Sequence, residues 1–346
     1  LSMKKIITFG EIMMRLAPKG FLRLSQANNF DMVFGGSESN VGVSLVNFGS
    51  EVEFVTRLPK NDIGLCALKE MQKYNLGTKH IIQNGERLGI YFIETGVGSR
   101  SGKVLYDRSN SAMSKIEPGM FNWREIFKDS KWFHWSGITP AISQSAADVC
   151  LEALKIAKDM DLTISVDLNY RSKLWDYKCD PKKIMTELTS YCDILVANEE
   201  SIKVFFEIKS ESNEKRKDYD FEGELSLSLF KKIYIKFPNV KKVIFTSRKS
   251  ISASYNKWKA ILHDGSKLYH SKKYEIKNIV DRIGAGDAFM AGLIYGFLNY
   301  DDDQKALDFA AAACVLKHSI SGDVNLVSLT EVEKLISDDN SLRVER

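Results

Sequence analysis

Short, nearly continuous apolar runs alternate along this chain with longer stretches whose apolar positions recur at helical spacing. Residues 5–10 open as a buried strand, and 37–48 are predicted as a helix after a double glycine. The alternation continues with strand 52–58, helix 63–74, strand 131–136, helix 144–160, strand 163–168, helix 182–191 and strand 194–197. A strand at 243–246 follows, then an antiparallel ribbon from 252–258 and 267–276, an apolar strand-like run at 274–280, and helices near 286–299 and 303–318. Strands that are apolar on both faces, each followed by a helix, predict a doubly wound α/β fold with a mostly parallel sheet flanked by helices.

Two segments break the alternation. Residues 11–34 and 89–107 show extended, period-two patterning, and 90–94 and 103–107 can pair as a hairpin around 96–102. They predict a small β-sheet projecting from the main domain, a lid formed by about 11–34 and 89–110. The polar run 209–220 is expected to be a surface insertion. With no internal repeat and no linker, residues 1–346 are expected to form a single domain, with Met3 as the native start after Leu1 and Ser2.

Composition narrows the function classes. The net charge of +4, from 49 basic and 45 acidic residues, is too mild and dispersed to point to nucleic acid. The five cysteines have no metal-ligand spacing, which predicts reduced thiols in a cytoplasmic protein. No apolar run reaches membrane-spanning length, so no membrane partner is expected.

The chemistry concentrates at Asp281-Arg-Ile-Gly-Ala-Gly-Asp287-Ala-Phe289. Gly284, Ala285 and Gly286 present nearly bare backbone N–H groups where a helix begins, and such a start attracts anions. Asp287 follows at once. A carboxylate beside an anion cradle fits phosphoryl transfer, with the N–H groups holding developing charge while Asp287 takes a proton from an attacking hydroxyl. A glycine-eased packing contact is the plainer reading. Earlier in the chain, Gly35-Gly36-Ser-Glu-Ser-Asn40 joins the first lid segment to a helix. It is either a close-approach ligand cradle, with Asn40 bonding a polyol, or a glycine turn with a helix-start Asn. The third glycine of a dinucleotide fingerprint is missing, as is the phosphate-loop lysine pattern.

Together these two motifs resemble the ribokinase-like (PfkB) family of sugar kinases, with its double-glycine-to-Asn motif and its D-x-x-G-A-G-D-x-F motif in the same order. The resemblance spans nearly the whole chain. It implies a doubly wound core with a β-sheet lid, ATP as donor and Mg²⁺ as cofactor. It assigns Asp287 as the base, 284–286 as the anion hole, and Gly35, Gly36 and Asn40 to the sugar. Three further segments are similar to the 2-keto-3-deoxygluconate kinases of that family: Gly89-Ile-Tyr91 with Leu105-Tyr-Asp-Arg108, Ser136-Gly-Ile138-Thr-Pro-Ala141, and Asp167-Leu-Asn-Tyr-Arg171. This implies that Tyr91, Tyr106, Arg108, Ile138, Arg171 and Asp323 line the acceptor site. The two arginines independently suit a sugar acid, because a guanidinium fork binds carboxylate bidentately. Ordinary surface ion pairs are the plainer reading of both.

The sequence departs from the family in two places. The glycine-containing nucleotide loop expected after the strand ending at Thr246 is replaced by Ser247-Arg-Lys-Ser-Ile251, so Arg248 or Lys249 is expected to pair phosphate instead. The acidic N-x-x-E motif becomes Asn198-Glu-Glu-Ser201, which leaves Mg²⁺ handling to Glu199 or Glu200, through water. Nucleotide contacts are therefore expected from Asn198, Thr246, Arg248, Gly284 and Gly286. The expected activity is ATP-dependent phosphorylation of the 6-hydroxyl of 2-keto-3-deoxy-D-gluconate. The alternatives are a kinase of a neutral sugar of the fructose or ribose type and a weakly catalytic sugar-acid-binding homologue. The apolar lid strands also allow a homo-oligomer to form through the lid.

Overall fold

Ile6 and Ile7 are neighbours on one strand, both fully buried, and they face different cores. The same split recurs at Trp132 and Phe133, at Ile194 and Leu195, and at Ile244 and Phe245. A strand whose successive side chains both need apolar cover must lie in the middle of a three-layer sandwich. The pattern is therefore the cause of the architecture that the computed structural model shows for residues 5–209 and 224–337.

The chain opens with β1 (Lys5–Phe9), β2 (Met13–Ala17), β3 (Asp31–Gly35), α1 (Ser37–Asn47), β4 (Val52–Pro59), α2 (Asp62–Lys73) and β5 (Ile81–Gly85). It continues with β6 (Gly89–Glu94), β7 (Lys103–Asp107), α3 (Trp123–Phe127), β8 (Ser130–Ser136), α4 (Gln144–Asp159), β9 (Thr163–Asp167), α5 (Pro181–Thr189), β10 (Ile194–Ala197) and α6 (Glu199–Phe206). The last part holds α7 (Glu224–Lys236), β11 (Lys242–Ser252), β12 (Tyr255–His263), β13 (Leu268–His270), β14 (Tyr274–Lys277), α8 (Ala285–Asn299), α9 (Asp303–Lys317) and α10 (Leu329–Ile336).

The large sheet has ten strands in the order β13-β12-β11-β10-β9-β8-β1-β4-β5, with β14 also against β12. From β11 to β5 every neighbour is parallel; β12 joins antiparallel and pairs antiparallel with β13 and β14. Helices α3 to α7 cover one face and α1, α2, α8, α9 and α10 the other. The fold is the expected doubly wound α/β sheet.

The second sheet has four strands in the order β3-β2-β6-β7. Its register aligns Arg15, Val33, Tyr91 and Tyr106 in one row and Leu16, Met32, Phe92 and Leu105 in the next. Because strand side chains alternate, these rows face opposite ways. Arg15 and Tyr91 are buried, while Met32 and Leu105 are each 49% exposed on the outer face.

Three expectations need correction. The strand beginning at 243 does not stop at Thr246. It runs on to Ser252 and pairs with β12 as far as Ser252 opposite Tyr255, so 247–251 is a strand arm and not a loop. Its polar composition hid it, because that arm projects beyond both cores. The stretch read as one ribbon leg, 252–258, instead contains the turn of this hairpin and the start of β12. The run at 274–280 keeps strand form only to Lys277, and Asn278 takes a left-handed backbone (φ 55°). The surface insertion read at 209–220 lies outside the described residues apart from Lys209, as does the start at Met3.

Helices α8 and α9 approach closely where Gly292 and Gly296 face Ala310 and Ala306. A Cβ at Gly292 would lie 2.6 Å from the Cα of Ala310. Gly292→Val should therefore push the two helices apart and cost about 1–3 kcal/mol. A urea unfolding curve with a lowered midpoint and unchanged slope is the expected result.

Candidate active site

The chain leaves β1 towards β4 and β5, then returns to β8 on the other side of β1 and proceeds outward to β11. That reversal is a topological switch point, where open α/β sheets bind ligands at the carboxyl ends of their strands. A cleft of about 1400 Å³ lies there, bounded by the strand ends, the small sheet and the start of α8. Among the described residues its walls include every site residue expected from the sequence except Lys249, the alternative to Arg248, whose neighbours on the strand line the cleft instead.

The floor is built by two helix starts. Gly284 caps α8 with a left-handed backbone (φ 79°), and a Cβ there would meet the Asp323 carbonyl oxygen at 1.8 Å. Only glycine can make this turn. Gly286 faces open space, so the first-turn N–H groups of α8 meet the cleft without side-chain cover. Asp287 sits one residue on. Its Oδ1 accepts from Ser37 Oγ at 2.9 Å and its Oδ2 from Asn40 Nδ2 at 2.7 Å. Both donors belong to the first turn of α1, so the double-glycine motif and the D-x-x-G-A-G-D motif meet at one carboxylate. Burial pushes Asp287 up to about 7; the bonds from Asn40 and Ser37 oppose this, and the nearby Asp167 and Asp323 add to it.

Two other carboxyls stand close by. Glu38, fully buried, accepts from Ser136 Oγ at 2.5 Å and from Thr139 Oγ1 at 3.4 Å, and burial pushes it up to about 8. Asp167, at the end of β9, is pushed up to about 6 by burial, with Arg171 working the other way. Asn169 bridges this wall to the floor through a 3.5 Å bond to Ser37 Oγ.

Gly35, Gly36, Tyr91, Tyr106, Arg108, Ile138 and Arg171, the residues expected at an acceptor site, all line the cleft. Tyr91 donates its hydroxyl proton to Asp323 Oδ2, while Arg15 donates to Asp323 Oδ1 at 2.7 Å. Asp323 thus has both oxygens engaged by protein groups. Arg108 pairs with Glu11 and stands 5.7 Å over the Tyr106 ring. Its Nε is buried without a hydrogen-bond partner among the described residues. Arg171 is exposed to the cleft, with a 3.2 Å bond to its own neighbour's carbonyl, Tyr170 O.

Asn198, Glu199, Glu200, Thr246 and Arg248 line the same cleft. Asn198 caps α6, accepting from Ser201 N at 2.8 Å, and Ser201 returns a bond to the Asn198 backbone. The serine that replaces the family's acid therefore completes a capping box. Among the described residues no group of three or more His, Cys, Asp or Glu is placed to hold a metal. The pair Glu199 and Glu200 fits only an ion that keeps most of its water and binds mainly through a ligand's phosphates, which is how Mg²⁺ behaves.

The sequence pattern of the pfkB family of carbohydrate kinases matches residues 3–325. The chain belongs to that family. Among solved structures it is similar to the 2-dehydro-3-deoxygluconokinase of Thermotoga maritima, at 41% identity and a TM-score of 0.90, over 96% of this chain and 99% of that one. A putative 2-keto-3-deoxygluconate kinase from Enterococcus faecalis is 26% identical, with a TM-score of 0.88 over 99% of each chain. The 2-dehydro-3-deoxygalactonokinase of Haloferax volcanii is 28% identical over 336 residues, 96% of both proteins. PfkB kinases use ATP. No helix among the described residues is long and apolar enough to cross a membrane.

Sequence reasoning did not single out Ser37, Glu38, Glu11, Arg15 or Asp167 as site residues. Ser37 and Glu38 lie inside the double-glycine motif, and Asp167 opens the D-x-N-Y-R segment, so motif membership was an available signal. Glu11 and Arg15 carry no local signal, because their partners lie far along the chain.

Proposed function

We propose that this PfkB carbohydrate kinase transfers the γ-phosphoryl group of ATP to the 6-hydroxyl of 2-keto-3-deoxy-D-gluconate. The observation that carries the reading is Asp287, held by Ser37 and Asn40 beside a glycine-built anion turn in a cleft that Arg108 and Arg171 also line. The family membership and the likeness to the Thermotoga maritima 2-dehydro-3-deoxygluconokinase support it.

In this reading the keto acid lies between the small sheet and the floor. Arg108 has an unpaired buried Nε and Arg171 faces the cleft, and these donors suit the carboxylate and keto end. The far hydroxyl then reaches Asp287. As its oxygen forms a bond to the γ-phosphorus, the bond from that phosphorus to the β,γ-bridging oxygen breaks. The hydroxyl proton passes to Asp287 and ADP leaves. The N–H groups at 284–286 stabilise the charge on the transferring phosphate. Mg²⁺, with Glu199 or Glu200 contacting its waters, would neutralise phosphate charge when bound. The small sheet acts as a lid that excludes water, the competing nucleophile. Its exposed outer face, with Met32 and Leu105, suits pairing with the lid of a second copy.

Asp287→Asn should lower kcat by about 10²–10⁴ while leaving the fold intact. The base works only when ionised, and burial holds it protonated below about 7. The kcat/KM of the wild type should accordingly rise about tenfold per pH unit below that value and level off above it. A flat profile from acid to neutral pH would reject the base assignment.

Arg108→Ala should raise KM for the keto acid about ten- to a hundredfold and leave KM for ATP nearly unchanged. A coupled assay over both C4 epimers of the 2-keto-3-deoxy acid, fructose and ribose tests the substrate class. Faster turnover of a neutral sugar would replace this reading with a neutral-sugar kinase. Leu105→Glu should convert a dimer to a monomer by sedimentation; a wild type that sediments as a monomer excludes pairing through the lid.

A further inference from the structure

Four charged side chains meet beneath the anion turn. Arg15 reaches in from β2 of the small sheet, placing Nη2 at 2.8 Å from Asp281 Oδ2 and Nη1 at 2.7 Å from Asp323 Oδ1. Lys317, at the end of α9, is fully buried, and its ammonium donates to the carbonyls of Ile320 at 3.0 Å and Gly322 at 2.9 Å. Asp281 accepts from the backbone N–H groups of Ile283 at 3.0 Å and Gly322 at 3.1 Å. Gly284 rests directly on this group: a Cβ there would be 1.8 Å from the Asp323 carbonyl and 3.3 Å from Lys317 Cε.

The two carboxylates make sense as turn-builders but not as neighbours of an anion site. Alone, they would place two negative charges against a turn that has to receive a phosphate. Two cations cancel them. Burial works against the charge on Arg15, but Asp281 and Asp323 outweigh it and hold the guanidinium charged. Burial pulls Lys317 down, and the same two carboxylates oppose that pull. Each base therefore feels both acids, and the quartet sums to zero formal charge.

We propose that Arg15 and Lys317 are positioning residues that set the electrostatic balance under the anion turn, and that the small sheet makes the turn competent for phosphate by delivering Arg15. This rests on the kinase reading above. It assigns the lid strand β2 a part in the phosphoryl-transfer half of the cleft, in addition to covering the sugar.

The test compares binding of β,γ-imido-ATP with Mg²⁺, by calorimetry, across four variants of the full chain. Arg15→Gln and Lys317→Met each leave one excess negative charge and should weaken the analogue about ten- to a hundredfold. Asp323→Asn breaks the same ion pair as Arg15→Gln but leaves an excess positive charge, so it should bind the analogue at least as tightly as the wild type. The double variant Arg15→Gln/Asp323→Asn should return to within about threefold of wild type. Thermal midpoints should fall for both single changes at the Arg15–Asp323 pair, because each strands a buried partner. A purely structural latch predicts that affinity falls with stability in both. If Asp323→Asn weakens the analogue as Arg15→Gln does, or the double variant stays at the Arg15→Gln level, the proposal is overturned. Should Arg15→Gln not fold, Lys317→Met and its combination with Asp323→Asn decide the matter by the same signs. A wild type that transfers no phosphate from ATP overturns the kinase reading and this inference with it. An active wild type with unresponsive variants overturns the inference alone.

Discussion

A carboxylate placed where two helices begin is the contact on which the site depends. The Asp287 bonds to Ser37 and Asn40 join residues about 250 positions apart in sequence, and they fix α1 against α8 at the mouth of the cleft. Helix N-termini favour negative charge, so the two dipoles support the ionised form. Burial opposes it more strongly, and the group is left poised near neutral. A carboxylate of ordinary pKa would be a poor acceptor for a hydroxyl proton; one raised to about 7 is matched to that task. The geometry requires no strain at Asp287 itself. The cost falls on Gly284, whose left-handed turn lets the backbone pass against Asp323.

How far the fold could be read from sequence depended on whether a residue's role was local. Buried parallel strands announce themselves because both faces are apolar, and β1, β4, β8, β9 and β10 all lie within a residue or two of their expected bounds. The hairpin of β6 and β7 was visible from its alternation. The arm of β11 beyond Thr246 was not. Its residues satisfy backbone hydrogen bonds against β12 without burying an apolar face, so Ser247, Arg248 and Lys249 read as loop. The short helix α3 and the helices α6, α7 and α10 were missed as well. In α6 the capping residue Asn198 was noticed for its chemistry, and its structural role as a helix start went unread.

The same division holds in the site. The cleft-lining residues expected from sequence mostly belong to contiguous motifs, which are local by definition, although Ser37, Glu38 and Asp167 stand inside the same motifs and carry no expectation of their own. The ion pairs that complete the site were not expected. Arg15 and Asp323 lie 308 positions apart, and nothing in the neighbourhood of either names the other. Asp323 was expected to face substrate, and it lines the cleft, yet its oxygens are taken by Arg15 and Tyr91. Composition can propose an acid at such a place; only the fold shows what it bonds.

The distribution of charge bears on how the proposed anionic substrates would be held in this cleft. Glu11 already cancels much of Arg108, and the Arg15 quartet is neutral, so neither supplies a large net attraction. Arg248 and Arg282, which have no carboxylate partner among the described residues, line the cleft as well. Burial lowers the affinity of Arg248 for its proton and Arg171 lowers it further; burial and then Arg248 do the same to Arg282. Arg248 and Arg282 oppose each other's charge, and in the proposed reaction the donor's triphosphate relieves that repulsion, while Arg171 stays with the acid. Arg282 also donates from Nη1 to Ser250 Oγ at 3.2 Å and from Nη2 to Ser252 O, tying the β11–β12 hairpin to the start of the anion turn. The arm that replaced the expected glycine loop is thereby held where its Arg248 faces the cleft. In the proposed reaction, side-chain cations on that arm do for the donor's phosphates what bare backbone N–H groups would do in a glycine loop.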